Sequence, residues 1–367
     1  MEKILILIVL IIAWTAGWIL FRRKTVSVSR DEALKQGKLS VIIPARNEEH
    51  NLPNLLQSLR DQTIQPFEII VVDDHSLDRT KAIAESFGVT VIESPELPPG
   101  WTGKNWAVYN GYLEATGDLI AFLDADVRLA PNALQALLEV RERTGGAISV
   151  VPYHETKRFY ERLALIPCLL GVFAFTSPME RQNPDQGLYG ACILVSREQY
   201  EQAGGHIGIK SELLDDLNLG AKFKAAGIPV NNYIGHGLVS FRMYPGGIRS
   251  EIEGFSKGAV LSTGKLSGLT TLLVAMWLIG LLAAEAAPFF LNTAWWKPLT
   301  AGYVLYTAQI YYFVRYTGRF GIALPTIHML SSVFFIGIMI YSVIQVVFFG
   351  KVAWKGRSVD VGGRDMS

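Results

Sequence analysis

Cysteine is nearly missing from this 367-residue chain, which holds only Cys168 and Cys192. Two thiols give no disulfide framework and fit a reducing compartment. Charge is also scarce: 18% of residues are charged, against about 25% in an average soluble domain. A formal net charge of +1 leaves no basic surplus for a polyanion, so nucleic acid is not an expected partner. His75, His154, His206 and His236 show no metal-ligand spacing and read as loop residues. Internal repeats, low-complexity tracts and any signal of an oligomer are missing too. No small-residue cleavage site follows the N-terminal apolar run, which argues against a signal peptide.

What the chain has is apolar sequence, unevenly spread, with half of all residues hydrophobic. Residues 4–21 carry no charge and are followed by Arg22-Arg23-Lys24. At about 1.5 Å per residue that run just crosses a bilayer core. Residues 1–24 are therefore expected to form a membrane anchor, with the basic triplet holding the following domain in the cytoplasm. Three further stretches, 268–291, 299–314 and 321–349, have Trp and Tyr near their ends, as interfacial belts do. The region 266–350 is expected to be C-terminal membrane helices, ahead of a basic tail at 351–367 (Lys351, Lys355, Arg357). Three spans after a cytoplasmic domain would put that tail outside. One stretch is thus expected to be re-entrant or interfacial, and 321–330, with Pro325 and His328, is the candidate. Glu285 inside an apolar stretch either faces the protein interior or is a protonated acid facing lipid. Residues 159–175, broken by Pro167 and flanked by Lys157, Arg158 and Arg162, read as an interfacial helix within 156–180, with a buried core helix as the alternative.

Between these apolar regions lies a different pattern. Strand-like runs ending at Pro44, at Asp73-Asp74 and at Asp124-Ala125-Asp126 alternate with helical patterns, such as the one placing Leu52, Leu55, Leu56 and Leu59 on one face. Such alternation implies a mainly parallel sheet with right-handed crossovers. In that architecture carboxyl-terminal strand ends share one edge, so Asp73, Asp74, Asp124 and Asp126 should meet at one crevice. Two carboxylates one residue apart suit Mg²⁺ or a similar oxygen-seeking cation shared with substrate phosphates, although a solvated turn is the plainer reading of such a pair.

Four motifs occur in order: Val-Ile-Ile-Pro-Ala-Arg-Asn-Glu-Glu (41–49), Val-Val-Asp-Asp-His-Ser-Leu-Asp-Arg-Thr (71–80), Gly-Lys-Asn-Trp-Ala (103–107) and Leu-Asp-Ala-Asp (123–126). Together they resemble glycosyltransferase family 2, whose members carry a Rossmann-like GT-A catalytic domain, here at 38–265. The resemblance implies that Pro44, Ala45 and Glu48 line a nucleotide, with Arg46 near it. It implies that Asp74 accepts the uracil imide, Asp73 being the other candidate, and that Lys104 sits beside the diphosphate. Asp124 would address the ribose, and Asp126, with Asp124, a Mg²⁺ or Mn²⁺ ion. Asp215-Asp216, opening a helix with Leu219 and Lys222 at helical offsets, stands where the family has a Glu-Asp pair supplying the catalytic base. Which of the two acids serves is open, and a helix cap is the alternative.

The family's processive Gln-x-x-Arg-Trp signature is missing; Phe241-Arg-Met-Tyr stands there, which implies transfer of a single sugar. That segment, residues 152–161 and residues 352–357 are similar to a narrower group that glucosylates C30 carotenoid carboxylates such as 4,4'-diaponeurosporenoate. The expected enzyme is a membrane-bound inverting hexosyltransferase with a UDP-sugar donor and a lipid acceptor. Polyprenyl phosphate, diacylglycerol or a terpenoid alcohol are the alternative acceptors. A transporter subunit or a non-catalytic nucleotide-sugar-binding membrane protein are the rival classes.

Overall fold

The computed structural model describes residues 2–26, 37–212, 214–259, 265–345, 351–354 and 357–360. Lys355 and residues 361–367 of the expected tail lie outside them. The chain divides into two compact units, Arg23–Tyr153 with Arg181–Arg242, and Met1–Arg22 with His154–Glu180 and Met243–Ser367.

In the first of these, numbering in chain order after α1 (Glu2–Leu20), the succession is β1 (Leu39–Ala45), α2 (Leu52–Arg60), β2 (Glu68–Asp73), α3 (Thr80–Ser86), β3 (Thr90–Glu93), α4 (Gly103–Glu114) and β4 (Leu119–Leu123). There follow β5 (Val127–Leu129), α5 (Ala133–Thr144), β6 (Ala147–Val151) and β7 (Tyr153–His154), at which the chain leaves the unit. It returns with β8 (Cys192–Ser196), α8 (Arg197–Gln202), α9 (Asp215–Ala225), β9 (Val230–Ile234) and β10 (Val239–Phe241). The main sheet has the order β3-β2-β1-β4-β8-β6-β9. Its β1–β2, β1–β4, β2–β3 and β6–β9 pairs are parallel, and β8 is antiparallel to both neighbours. This is the mainly parallel GT-A-like sheet that the strand–helix alternation predicts.

The central strands are mostly apolar because helices cover both faces. Val41, Ile43 and Val71 pack with Leu52, Leu55, Leu56 and Leu59 of α2. Ile42, Ile70 and Val72 point the other way, onto Ala107, Val108 and Tyr112 of α4. Each fully buried leucine stabilises by about 1.5–3 kcal/mol, so the α2 stripe anchors that layer. On the α4 side, a β-carbon at Gly111 would lie 2.6 Å from Ile42 Cγ2 and 2.8 Å from Val72 Cγ2. Only glycine lets α4 come this close to the sheet.

The topology sets the site. Ala45 is in register with Asp73, and the Asp74 N–H donates to Ala45 O at 2.8 Å. With neighbouring strands about 4.8 Å apart, the ends of β2 and β4, either side of β1, lie about 10 Å apart on one edge. Antiparallel β8 starts at that edge: Cys192 pairs with Leu123, and the Asp124 N–H donates to Ala191 O at 3.0 Å.

The other unit is helical: α1, α6 (Phe159–Arg162), α7 (Leu165–Thr176), α10 (Ile248–Ala259), α11 (Gly268–Glu285), α12 (Trp296–Thr317), α13 (Ala323–Thr326) and α14 (Met329–Ile344), with the hairpin β11 (Lys351–Trp354) and β12 (Arg357–Asp360). Polar side chains tie the bundle together. Trp277 Nε1 donates to Gln309 Oε1 at 2.8 Å, and Gln309 Nε2 donates to Trp14 O at 2.9 Å. Outward-facing Ile4, Leu5, Ile8, Leu272, Ile279, Val333 and Ile340 are exposed; so much apolar surface suits a lipid surround.

Here the sequence reading needs correction. Among the described residues, the helical stretches long and apolar enough to cross a membrane are Phe159–Gln182 and Gly268–Glu285. The first is the segment read as an interfacial or buried helix. The expected N-terminal anchor gives a shorter apolar helix, Ile4–Leu20, and the 321–349 stretch is divided between α13 and α14 (residues 346–349 lie outside the described ones). The 299–314 stretch lies within α12, where five tyrosines, Gln309 and Arg315 dilute the apolar character. Glu285 faces the interior: it is buried, with Oε1 2.5 Å from His328 Nδ1 and accepting from Ser332 Oγ at 2.8 Å.

Candidate active site

Loops after β1 and β2 form one side of the edge. The Asn47 N–H donates to Ser76 Oγ at 3.0 Å, and Asn47 Oδ1 accepts from the Leu77 N–H at 2.8 Å. Asn47 and His75 both have φ near +53°, a conformation uncommon for non-glycine residues and frequent at functional loops. The Glu48 N–H donates to Thr80 Oγ1 at 2.7 Å, so this side chain starts a fastened segment. Arg46 Nη1 lies 3.3 Å from Asp74 Oδ2 and donates to Asp74 O at 2.9 Å. Asp73 is buried; its Oδ2 accepts from the Ser76 N–H at 3.3 Å, while Oδ1 has no partner.

The other side is a narrow cleft whose lining includes Pro44, Lys104, Asp124, Gly190, His206, Asp215 and Asp216. Lys104, second residue of α4, puts Nζ 2.9 Å from Asp124 Oδ1 and 3.6 Å from Asp215 Oδ2. Burial alone would lower the lysine pKa, but the charges of Asp124, Asp215 and Asp216 outweigh it and push it up. Asp216 is pinned at both oxygens: Oδ2 accepts from the Gly190 N–H at 3.1 Å and Oδ1 from the Leu217 N–H at 3.0 Å. Burial, then the neighbouring Asp215 charge, raises its pKa to about 6, against the opposing pull of Lys104 and the two amides.

The cleft thus joins Pro44, Lys104, Asp124, Asp215 and Asp216, which are scattered over some 170 positions of sequence. Ala45 is buried at the end of β1, and Asp126 is half-buried just past Asp124. Neither lines this cleft, nor do Glu48, Asp73 and Asp74 on the loop side. The α9 N-cap, Leu214, makes no side-chain cap bond. Asp216 binds one first-turn amide, as a capping acid would, but Asp215 turns to Lys104.

Two participants receive no role of their own from a linear reading, although the family resemblance puts their segments, 189–197 and 204–206, in the acceptor half. Gly190 matters through its backbone N–H, which carries no sequence signal. His206, read from sequence as a loop residue, is buried and begins a single 3₁₀ turn, His206–Ile209, facing the acids. The Gly204-Gly205 pair before it was the available clue to a tight approach.

Comparison with known proteins identifies the family. Residues 40–204 match the family model for Glycosyl transferase family 2. The 4,4'-diaponeurosporenoate glycosyltransferase of Staphylococcus aureus (strain MRSA252) is 33% identical over 364 residues, covering 96% of this chain and 96% of the relative. This chain belongs to glycosyl transferase family 2. The S. aureus (strain USA300) protein of the same name is 32% identical with the same coverage. Among solved structures, mannosyltransferase PcManGT from Pyrobaculum calidifontis, in complex with GDP-Man and Mn²⁺, aligns with a TM-score of 0.52 at 17% identity, covering 91% of this chain and 94% of that one. That likeness is one of fold. As a family 2 member the chain is a hexosyltransferase, and its two apolar helices of crossing length make it membrane-associated.

Proposed function

We propose that this enzyme moves one sugar, glucose, from a UDP-sugar onto the carboxylate of a membrane lipid, with a C30 carotenoid acid such as 4,4'-diaponeurosporenoate as the acceptor. The observation that carries the reading is full-length similarity to the staphylococcal enzymes named for that acceptor. A cleft that gathers one lysine with three acids is compatible with it.

On the donor side, Pro44, Ala45 and Glu48 line the nucleotide. Asp74, tied to Arg46, is the first candidate to accept the uracil imide N–H, with the more deeply buried Asp73 as the other. Lys104 is the point charge for the diphosphate. Asp124 and Asp126 fit a hard cation that takes one or two carboxylates and completes its shell with phosphate and water. Among the described residues no cluster of three or more His, Cys, Asp or Glu would hold an ion by protein ligands alone. By the family pattern Asp126 is the first candidate, with Asp124, which also pairs with Lys104, beside it. Bound there, Mg²⁺ or Mn²⁺ supplies Lewis-acid stabilisation of the leaving diphosphate.

On the acceptor side, inversion requires attack from the face opposite the leaving group. The Asp215–Asp216 pair supplies the carboxylates for it, with Asp216 held by two amides. A carboxylate acceptor is already ionised at neutral pH, so with it these acids need not act as a base. The basic triplet Arg22–Lys24 holds the sheet unit on the cytoplasmic side of a multi-pass protein.

The deciding experiment incubates membranes containing the full-length enzyme with radiolabelled UDP-glucose and either a C30 carotenoid carboxylic acid or the corresponding alcohol. The expected product is an alkali-labile glucosyl ester formed from the acid alone. Label entering only the alcohol, or only endogenous glycerolipid or polyprenyl phosphate, would overturn the acceptor assignment.

A further inference from the structure

His206 lines the cleft, and two hydrogen bonds bear on its tautomer. Both involve the same atom, Tyr200 Oη, which lies 2.9 Å from the His206 backbone N and 2.7 Å from His206 Nδ1. The backbone N–H can only donate, so the phenol oxygen accepts it. The phenol's own proton is then best satisfied by donating to Nδ1, the ring nitrogen within its reach, which makes Nδ1 the acceptor. That leaves the remaining imidazole proton on Nε2, and His206 lines the cleft together with Lys104, Asp215 and Asp216. Gly205 makes the approach feasible: its φ is +47°, and a β-carbon there would lie 2.6 Å from the Tyr200 ring. Burial pushes the histidine pKa down to about 4, only partly opposed by Asp215, and burial pushes the Tyr200 hydroxyl up. The pair stays neutral through the physiological range.

Resting on the carboxylate-acceptor reading above, we infer that His206 is an acceptor-binding residue whose Nε2–H donates to the acceptor carboxylate, making it a determinant of carboxylate over hydroxyl acceptors. The chemistry favours this pairing. A carboxylate only accepts hydrogen bonds, and the cleft already holds the acids Asp124, Asp215 and Asp216 against Lys104, so a further carboxylate needs a donor. In the transfer, a carboxylate oxygen forms a bond to the sugar's anomeric carbon. The bond from that carbon to the diphosphate oxygen breaks, its electron pair leaves with UDP, and no proton moves. A hydroxyl acceptor must lose a proton, and an imidazole already protonated at Nε2 and held at Nδ1 cannot take it.

The test uses the full-length enzyme in detergent micelles with UDP-glucose and, in parallel, a C30 carotenoid acid and its alcohol. His206→Phe keeps an aromatic ring against Phe122, which the imidazole packs on at 5.2 Å, but removes the donor. His206→Gln places an amide N–H near the Nε2 position. For the acid, His206→Phe should lower kcat/KM by about 10²-fold, the usual effect of losing a positioned donor, with UDP affinity and melting midpoint unchanged. His206→Gln should recover most of that loss, and Tyr200→Phe, which frees the tautomer, should give a smaller one. Wild-type turnover by a folded His206→Phe, equal losses in the Phe and Gln variants, or a parallel fall in UDP affinity would each overturn the inference. If His206→Phe does not fold, His206→Asn replaces it, its amide falling near Nδ1, and activity equal to that of His206→Gln counts against the donor. A wild-type enzyme that uses only hydroxyl acceptors defeats the functional reading and this inference together; one active on the acid but indifferent to His206→Phe defeats this inference alone.

Discussion

Replacing Lys104 by Met keeps the length and apolar stem of the side chain and deletes its charge. Lys104 is the only Lys or Arg among the described residues that line the cleft, so the change leaves Asp124, Asp215 and Asp216 facing one another. Two unit charges about 4 Å apart near a protein surface interact by about 4 kcal/mol. The pairs here are 2.9 and 3.6 Å long, but the lysine and Asp124 side chains are 25% and 33% exposed. Solvent screening and the conformational cost of holding the pairs reduce the net figure to roughly 1–3 kcal/mol. For a unit of this size that is a fall of roughly 3–10 °C in melting midpoint. Loss of the positive charge should also raise the Asp216 pKa above about 6, since Lys104 is the largest of the influences that lower it.

Thermal unfolding of the full-length protein in detergent, at pH 7.5 with and without UDP, reads this directly. Lys104→Met should melt lower and respond weakly to UDP, with transfer down by about 10²–10³-fold. The double variant with Asp215→Asn should regain part of the stability, because it removes one of the stranded charges. A Lys104→Met protein that melts with the wild type and binds UDP equally well, or a double variant whose losses simply add, would refute the electrostatic account.

Three other perturbations follow from the structure. Glu251 on α10 is buried with neither oxygen partnered, and burial, reinforced by the Glu161 charge, raises its pKa to about 8. The folded state therefore keeps this proton after the unfolded chain has lost it, so stability should fall as pH rises from 4.5 to 8 and level off above. Glu251→Gln should flatten that decline in melting midpoint between pH 5 and 8, and identical slopes in both proteins would exclude the buried acid as its source. Glu285→Leu strands His328 Nδ1 and the Ser332 hydroxyl and should cost about 2–4 kcal/mol in denaturation of the reconstituted protein; Glu285→Leu/His328→Leu should recover part of it, and no recovery would show that the pair is not coupled. At Gly190 a β-carbon would lie 3.1 Å from Asp216 Cβ and 3.3 Å from Oδ2, so Gly190→Ala should lower turnover about tenfold by displacing that acid. Gly171→Ala, with nothing within 4 Å, is the control and should leave turnover unchanged.

Local pattern alone determined much of the sheet unit. The β-branched runs at β1, β2 and β4, the leucine stripe of α2 and the spacing between them dictate a parallel order. Parallel order puts Asp73, Asp74, Asp124 and Asp126 on one edge, because every such strand ends on the same side. The motif order also carried the family, since those residues lie at the ends of the strands. The membrane segments were less legible. Total hydrophobicity marks an apolar stretch, but it does not tell Phe159–Gln182, which passes for a span despite Pro167, from the tyrosine-rich α12, which does not. Glu285 could not be assigned to lipid or interior because its partner His328 lies 43 positions away.

Tertiary structure alone decided the Asp215–Asp216 side of the cleft. Antiparallel β8 delivers the Gly190 N–H to Asp216, and α9 is placed so that Asp215 meets the lysine of α4. A backbone amide has no residue signature, and an ion pair between positions 104 and 215 has no local periodicity to announce it. The proton on His206 was equally invisible in the sequence. It is set by one phenol oxygen shared between a backbone N–H and an imidazole, and a hydrogen bond's direction depends on where three atoms meet in space.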